Sequence, residues 1–229
     1  MKSALMVLIA FAIGAQSQTL TDSRDKKKYK TVKIGEQTWM AQNLDYHGAD
    51  GFLGLCYGDE PKKKIRKPEN CKKYGRLYNW KEAMEACPSG WHLPSDEEWQ
   101  TLVDFAGGDE VAGKKLKAKS GWTACDFPGT SPKVPKCKWT AKEELDDRGR
   151  VITPAMVVDK YTTDEYGFSA LPGGSGSSGG SFYTVGYGYW WSSSEDDSNG
   201  AYRRYISSSD VRRDNGSKIY LLSVRCVQD

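Results

Sequence analysis

The sequence predicts one α+β domain with a small, aromatic-rich core. Three observations predict it: strand-like segments near both ends of the chain, two helix-like segments in its first half, and aromatic residues in place of aliphatic ones. The chain has 229 residues, with 8 Trp, 13 Tyr and 6 Phe in a hydrophobic share of 38%. Such bulky residues fill a core that disordered chains lack. The net charge of +3 argues against a dedicated nucleic-acid-binding protein.

Residues 1–17 have the pattern of a secretory signal peptide. A single lysine precedes the apolar run at 4–13, small residues follow it, and we expect cleavage before Gln18. The run is too short to cross a bilayer as a helix. A buried N-terminal helix is the alternative interpretation. We therefore expect a secreted, periplasmic or cell-surface protein with no transmembrane segment.

The mature chain divides into a flexible lead-in at 18–28 and a single domain at 29–229. Strand alternation begins in YKTVKIGEQTWMAQNL, where Gly35 predicts the turn of a hairpin. The C-terminal segment KIYLLSVRCVQD predicts another strand. The Gly/Ser-rich stretch at 173–181 has the composition of a linker, but motif-like segments on both sides favour an exposed loop within the domain.

Two helices are predicted between these strands. In the first, apolar residues recur at helical spacing over 79–87. The second begins at Ser95, which forms a capping box with Glu98, and ends at a glycine pair. A shorter helical turn is expected within 110–119, and long loops with short strands after Gly121.

The cysteines predict disulfides, because an exported protein keeps them oxidised and no spacing typical of zinc ligands occurs. Cys56 and Cys71 bracket the basic segment 61–73, PKKKIRKPENCKK, which suggests a disulfide-tied surface loop. The lysines of this segment are expected to be solvated, with a site for an anionic partner as the alternative. Cys125 and Cys137, with prolines between them, suggest a second local bridge.

Several separated motifs carry a family resemblance. They are VKIGEQTWMAQNL, YGRLYNW, NWKEAMEACPSGWHLPSDEEWQTL, GFSALPGG, WWSSS and the terminal SVRCV. Together they resemble the Fibrobacter succinogenes major paralogous domain family, from about Tyr29 to Asp229. The resemblance implies a C-type lectin-like fold: two helices flanking short antiparallel sheets, with long disulfide-tied loops. It also implies a disulfide between Cys87 and Cys226.

The sequence predicts no enzyme. The implied fold is shared with formylglycine-generating sulfatase modifiers, which need a reactive cysteine pair, yet the corresponding tract WWSSSEDDSNGAYRRY contains no cysteine. No GxSxG, HExxH or P-loop motif occurs. Of the two histidines, His47 lies in a loop, and His92 in the GWHLP turn suggests a structural hydrogen bond. The sulfatase-modifier activity stays as the enzymatic alternative.

Binding is the predicted function. Aromatic rings followed by carboxylates and an amide suit sugar recognition, because rings stack on sugars while polar groups hold hydroxyls. The candidate ligand-binding residues are Tyr183, Tyr187, Tyr189, Trp190, Trp191, Glu195, Asp196, Asp197 and Asn199. A core role for the two tryptophans is the alternative.

We therefore expect a non-catalytic binding or adhesion module for polysaccharide or a surface protein, with no nucleic-acid partner. A self-associating structural surface protein is the remaining alternative. No cofactor and no metal are predicted. Calcium stays open because its ligands are oxygens, although the lectin-type triplets EPN and QPD are absent from the expected loop.

Overall fold

The structure is a computed structural model that describes residues 17–51, 53–122, 144–145, 151–153, 162–177, 180–183, 186–206 and 209–229. Most of the predicted signal peptide, 1–16, lies outside the described residues. So do Cys125 and Cys137, whose pairing stays a prediction. The predicted domain boundaries likewise stay predictions.

The described part of the chain consists mainly of short strands. In chain order they are β1 (Ser17–Thr21), β2 (Lys28–Ile34), β3 (Gln37–Met40), β4 (Leu77–Tyr78), β5 (Trp91–His92), β6 (Glu144–Leu145), β7 (Val151–Thr153), β8 (Ser175–Ser177), β9 (Phe182–Tyr183), β10 (Gly188–Glu195), β11 (Gly200–Ile206), β12 (Val211–Ser217), β13 (Tyr220–Ser223) and β14 (Val227–Gln228). The helices are α1 (Pro68–Tyr74), α2 (Trp80–Ala86), α3 (Asp96–Phe105) and α4 (Asp109–Leu116), with a 3-10 turn at Pro61–Lys63.

Within the described residues these strands form two curled sheets and a small separate pair. The first sheet has the order β1-β2-β3-β14-β5, so it contains both the first and the last of the described strands. The second has the order β12-β11-β10-β13-β8-β9, and β4 joins it by pairing with β13. Strands β6 and β7 pair with each other.

The predicted fold class is therefore wrong. The domain is mostly β and β-sandwich-like, with few and short helices, rather than a C-type lectin-like arrangement of two helices flanking short sheets. The prediction failed because the long strands of the second sheet have little apolar alternation. Strand β12, for example, reads VRRDNGS and has one fully buried residue, Val211. Its backbone pairs with β11 along its whole length, which composition does not show.

Part of the segment predicted as a flexible lead-in is strand β1, which pairs with β2 in antiparallel register. The turn after it is fixed by Asp22, which is fully buried and accepts hydrogen bonds from the backbone and side chain of Arg24. The Arg24 guanidinium also donates to the carbonyl of Ala86, at 2.8 Å. This turn is thereby joined to the end of α2.

The two predicted helices are present where the sequence placed them. The capping box of α3 forms as expected, with Ser95 accepting from the backbone of Glu98 at 3.1 Å and Glu98 accepting from the backbone of Ser95 at 2.7 Å. Helix α2 has a second such box, between Asn79 and Glu82. Each box satisfies amide groups that the first helical turn leaves without partners.

Two predicted disulfides are confirmed. Cys56 bonds Cys71, and Cys87 bonds Cys226 across 139 residues. The long bridge joins the end of α2 to the strand region near the C-terminus and contributes to one of two buried apolar clusters. Strand β10 separates these clusters: Trp190 belongs to one and Trp191 to the other, because successive side chains of a strand point to opposite faces.

Candidate functional site

The structure divides the predicted binding residues among separate places. Trp190 and Trp191 are fully buried. The Trp191 indole donates to the carbonyl of Tyr78, at 2.9 Å, so it is held within the core. Both indoles are therefore removed from the candidate site, in agreement with the alternative that they are core residues.

Tyr187 and Tyr189 form part of an aromatic surface at the start of β10. Their ring centroids lie 6.2 Å apart, with planes 18° from parallel. Tyr205 on β11 lies opposite Tyr189 in the antiparallel register, and its ring is 5.5 Å from the Tyr189 ring. All three side chains are half-buried. We call these three residues the tyrosine face.

Arg203 places a cation beside the tyrosine face. Its guanidinium lies 5.3 Å from the centroid of Tyr189, and its Nη2 donates to the Asp214 carboxylate at 2.7 Å. In the described part of the molecule, the buried Arg203 Nε has no hydrogen-bond partner. Gly216 allows this position, because a Cβ there would lie 3.0 Å from Arg203 Nη1. The face thus combines neighbouring rings with a partly exposed guanidinium.

The predicted acidic residues lie at the other end of the same strands, on the β10–β11 turn. Asp197 accepts hydrogen bonds from the backbone amides of Asn199 and Gly200, both at 2.7 Å, and these bonds lower the pKa of its carboxyl. Asp196 accepts from the Asn215 side chain at 2.6 Å. Beside them is an open depression of about 230 Å³, formed by this turn and the end of β12.

Glu195 is also engaged, since it contacts the ammonium group of Lys218. Tyr189 and Glu195 are six residues apart on one strand, which corresponds to about 20 Å at roughly 3.3 Å per residue. Tyr183 lies apart on β9, half-exposed. The predicted set is therefore not one site: it comprises the tyrosine face, the acidic turn, an isolated tyrosine and two core tryptophans.

No group of three or more His, Cys, Asp and Glu side chains in the described residues is arranged to hold a metal ion. Among the same described residues, no helix is long and apolar enough to span a membrane.

The sequence motifs meet in the interior at Asn43. Its Oδ1 accepts from Trp190 Nε1 at 2.8 Å and from Arg225 Nη2 at 2.8 Å, while its Nδ2 donates to the Tyr74 carbonyl at 2.9 Å. Arg225 also donates to the carbonyl of Phe168. These residues come from five separated motifs, so the motifs specify a buried polar network.

Arg225 is wholly buried, and this burial lowers the pKa of its guanidinium to about 9. Its guanidinium carbon lies 4.3 Å from the centroid of the Phe168 ring, and its Nη2 donates to the Ser169 carbonyl at 3.3 Å. A buried cation must be compensated by hydrogen bonds. Asn43 and the two carbonyls supply them here.

The family model of the Fibrobacter succinogenes major domain matches residues 32–228, nearly the whole described chain. The chain belongs to this family. No curated protein and no solved structure gives a significant match. Membership in the Fibrobacter succinogenes major domain family is thus shown by the sequence.

In this member of the Fibrobacter succinogenes major domain family, sequence reasoning missed Tyr205 and Arg203 as parts of the candidate surface. Both lie in the tract AYRRY on β11, opposite the YWW tract of β10. The sequence signal that could have identified them is the polar segment between the two tracts, because such a segment predicts a hairpin turn. Pairing the tracts across that turn brings the tyrosines of both strands near one another.

Proposed function

We propose that this domain is an exported, non-catalytic module that binds polysaccharide through the tyrosine face. The observation that carries the proposal is the arrangement of Tyr187, Tyr189 and Tyr205. The β10–β11 pairing holds Tyr189 beside Tyr205, and Tyr187 stacks on Tyr189, so little conformational entropy is lost when a ligand contacts these rings. The partly exposed Arg203 guanidinium lies beside the rings and adds an N–H donor for a hydroxyl group.

Several observations support the rest of the proposal. The two disulfides are of the kind that persists in oxidising compartments, which agrees with the predicted signal peptide. Four of the six cysteines are bonded and therefore cannot form the reactive pair of a sulfatase modifier. Rings and hydrogen bonds need no cofactor, so the proposed binding is independent of calcium.

The test is depletion of the purified protein from solution by insoluble cellulose and by xylan, with and without EDTA. We expect retention on at least one of them, unchanged by EDTA. The double variant Tyr189→Ala/Tyr205→Ala should bind about 5- to 150-fold more weakly, because aromatic contacts contribute roughly 0.5–1.5 kcal/mol each and about 1.4 kcal/mol corresponds to tenfold.

The matched control is Tyr220→Ala, which removes an exposed tyrosine on β13 outside the tyrosine face. It should bind as the wild type does. Absence of retention on both polymers, or equal loss in the control and the double variant, would contradict the proposal. Free thiols found by mass spectrometry without reduction would instead favour the enzymatic alternative.

A further inference from the structure

The charge of the molecule is concentrated in one loop. Residues 61–73 contain six lysines and one arginine against a single acid, Glu69, a local charge of +6. The whole chain carries +3, so the remainder carries −3. We call residues 61–73 the basic loop. The near-neutral total therefore conceals a strongly cationic surface.

The basic loop has a defined conformation. The Cys56–Cys71 disulfide closes it. The buried Asp59 carboxylate accepts from the backbone amides of Cys56 at 3.1 Å and Lys67 at 2.6 Å. The Asn70 side chain donates to the Tyr57 carbonyl at 2.8 Å. Because the backbone is already ordered, binding a partner costs less conformational entropy than it would in a flexible loop.

The carboxylates near the basic loop neutralise only part of its charge. Glu60 pairs with Lys63 at 2.6 Å, and the buried Asp59 lies 3.5 Å from Arg66. Four further lysines are exposed and have no carboxylate partner among the described residues. They are Lys62, Lys64, Lys67 and Lys72. Like charges held close together repel one another, so an anionic partner would relieve this repulsion.

An aromatic hairpin lies against the basic loop. The rings of Tyr57 and Phe182 are 5.1 Å apart, and a Cβ on Gly180 would lie 3.5 Å from the Pro61 ring. The next residue of β9 after Phe182 is Tyr183, whose side chain is half-exposed. Successive side chains of a strand point to opposite faces, so the contact of Phe182 with Tyr57 orders the hairpin against the loop but does not place Tyr183 beside the lysines.

We propose that the basic loop forms a second binding surface, for an acidic polysaccharide with carboxylate groups. Its local charge of +6 and its four exposed lysines without a carboxylate partner among the described residues complement a polyanion. The two disulfides are typical of an oxidising compartment outside the cytoplasm, which favours a polyuronate over nucleic acid as that polyanion. This surface is separate from the tyrosine face and does not depend on it.

The test measures binding of the full mature chain to polygalacturonate by isothermal titration calorimetry or affinity electrophoresis, at low and at physiological salt. We expect binding that weakens as salt rises, since exposed charges are screened. The variant Lys62→Gln/Lys64→Gln/Lys67→Gln/Lys72→Gln should bind about 10- to 100-fold more weakly, because four modest ion-pair contributions are lost together.

A matched control removes four exposed lysines elsewhere: Lys28→Gln/Lys30→Gln/Lys81→Gln/Lys119→Gln. It has the same net charge as the first variant and should keep most of the binding. Equal weakening in both variants would overturn the proposal, because net charge alone would then explain it. Tighter binding of single-stranded DNA or of anionic lipid vesicles than of polygalacturonate, at equal salt, would also overturn it. The Tyr189→Ala/Tyr205→Ala variant separates the two surfaces, since it should retain polygalacturonate binding.

Discussion

The interior around Asn43 and the surface around Tyr189 share strand β10, which supplies Trp190 to one and Tyr189 to the other, but they differ in how their side chains are bonded. In the interior, Trp190 and Arg225 are fully buried and bonded to Asn43. On the surface, Tyr189 is half-buried and lies beside the partly exposed guanidinium of Arg203. The polar groups of the interior are hydrogen-bonded within the molecule, whereas solvent reaches the side chains of the tyrosine face.

This difference bears on what family membership means. The motifs WWSSS and SVRCV place residues in the buried network, while Tyr205 and the basic loop lie outside the quoted motifs. The recognisable pattern therefore marks the fold, and the proposed binding surfaces lie outside it. Each of the following substitutions tests whether the interior and the surface contribute independently to the free energy of unfolding, as their separate positions suggest.

The largest expected effect is loss of a disulfide, which compares the interior with the basic loop directly. Chain-entropy arithmetic gives about 5 kcal/mol for the bridge that spans 139 residues and about 3 kcal/mol for the one that spans 15. Cys87→Ala/Cys226→Ala should therefore lower the free energy of unfolding more than Cys56→Ala/Cys71→Ala. Guanidinium denaturation measures both. Equal losses would show that the basic loop is as central to folding as the interior.

The second-largest expected effect is the loss of stability caused by Asn43→Ala. This change leaves Trp190 Nε1 without its partner and removes two hydrogen bonds from the buried Arg225. Each buried polar group left unsatisfied costs about 1–3 kcal/mol, so we expect a loss of about 4 kcal/mol. The matched variant Asn199→Ala removes an exposed asparagine of the acidic turn and should change stability by less than about 0.5 kcal/mol. A loss below about 1 kcal/mol for Asn43→Ala would mean that the network does not hold the core.

Helices α2 and α3 were predictable because their apolar residues recur at helical spacing and Ser95 provides a cap. The sequence grouped Tyr183, Tyr187 and Tyr189 in one candidate set, but it did not show that Tyr183 lies apart from the other two in space. A strand that is buried on both faces shows no alternation of apolar and polar residues. The adjacent tryptophans at 190 and 191 therefore did not indicate which face of the strand was exposed to solvent.

The register of β10 with β11 was also beyond sequence reasoning. It shifts between Trp191 and Glu195, which places Tyr189 opposite Tyr205. Without this shift, continuing the register from the pair Glu195–Ala201 would place Tyr189 opposite the residue two positions after Tyr205. The tyrosine face therefore depends on how the two strands pair, which the local sequence pattern does not show. The long polar strands, which made the fold prediction fail, likewise form through strand pairing.

The smallest expected effect concerns His92, which lies at the boundary between interior and surface. Its Nδ1 is 2.7 Å from Asp229 and its Nε2 is 2.8 Å from Glu98. Burial by itself lowers the pKa of His92, but the hydrogen bonds to the two carboxylates outweigh burial and raise it above the usual value. The charged imidazole donates to both carboxylates, so protonation favours the folded state.

Since the folded-state pKa is raised, this contribution is complete below about pH 6.5, the unfolded-state value, and is lost as pH rises through the folded-state value. The stability difference between the wild type and His92→Asn should therefore be larger at about pH 5.5 than at about pH 9. Chemical denaturation at both pH values measures it. A difference that grows with pH would mean that neutral His92 is the stabilising form. Because the side chain is 41% exposed, solvent screening keeps the effect below that of Asn43→Ala.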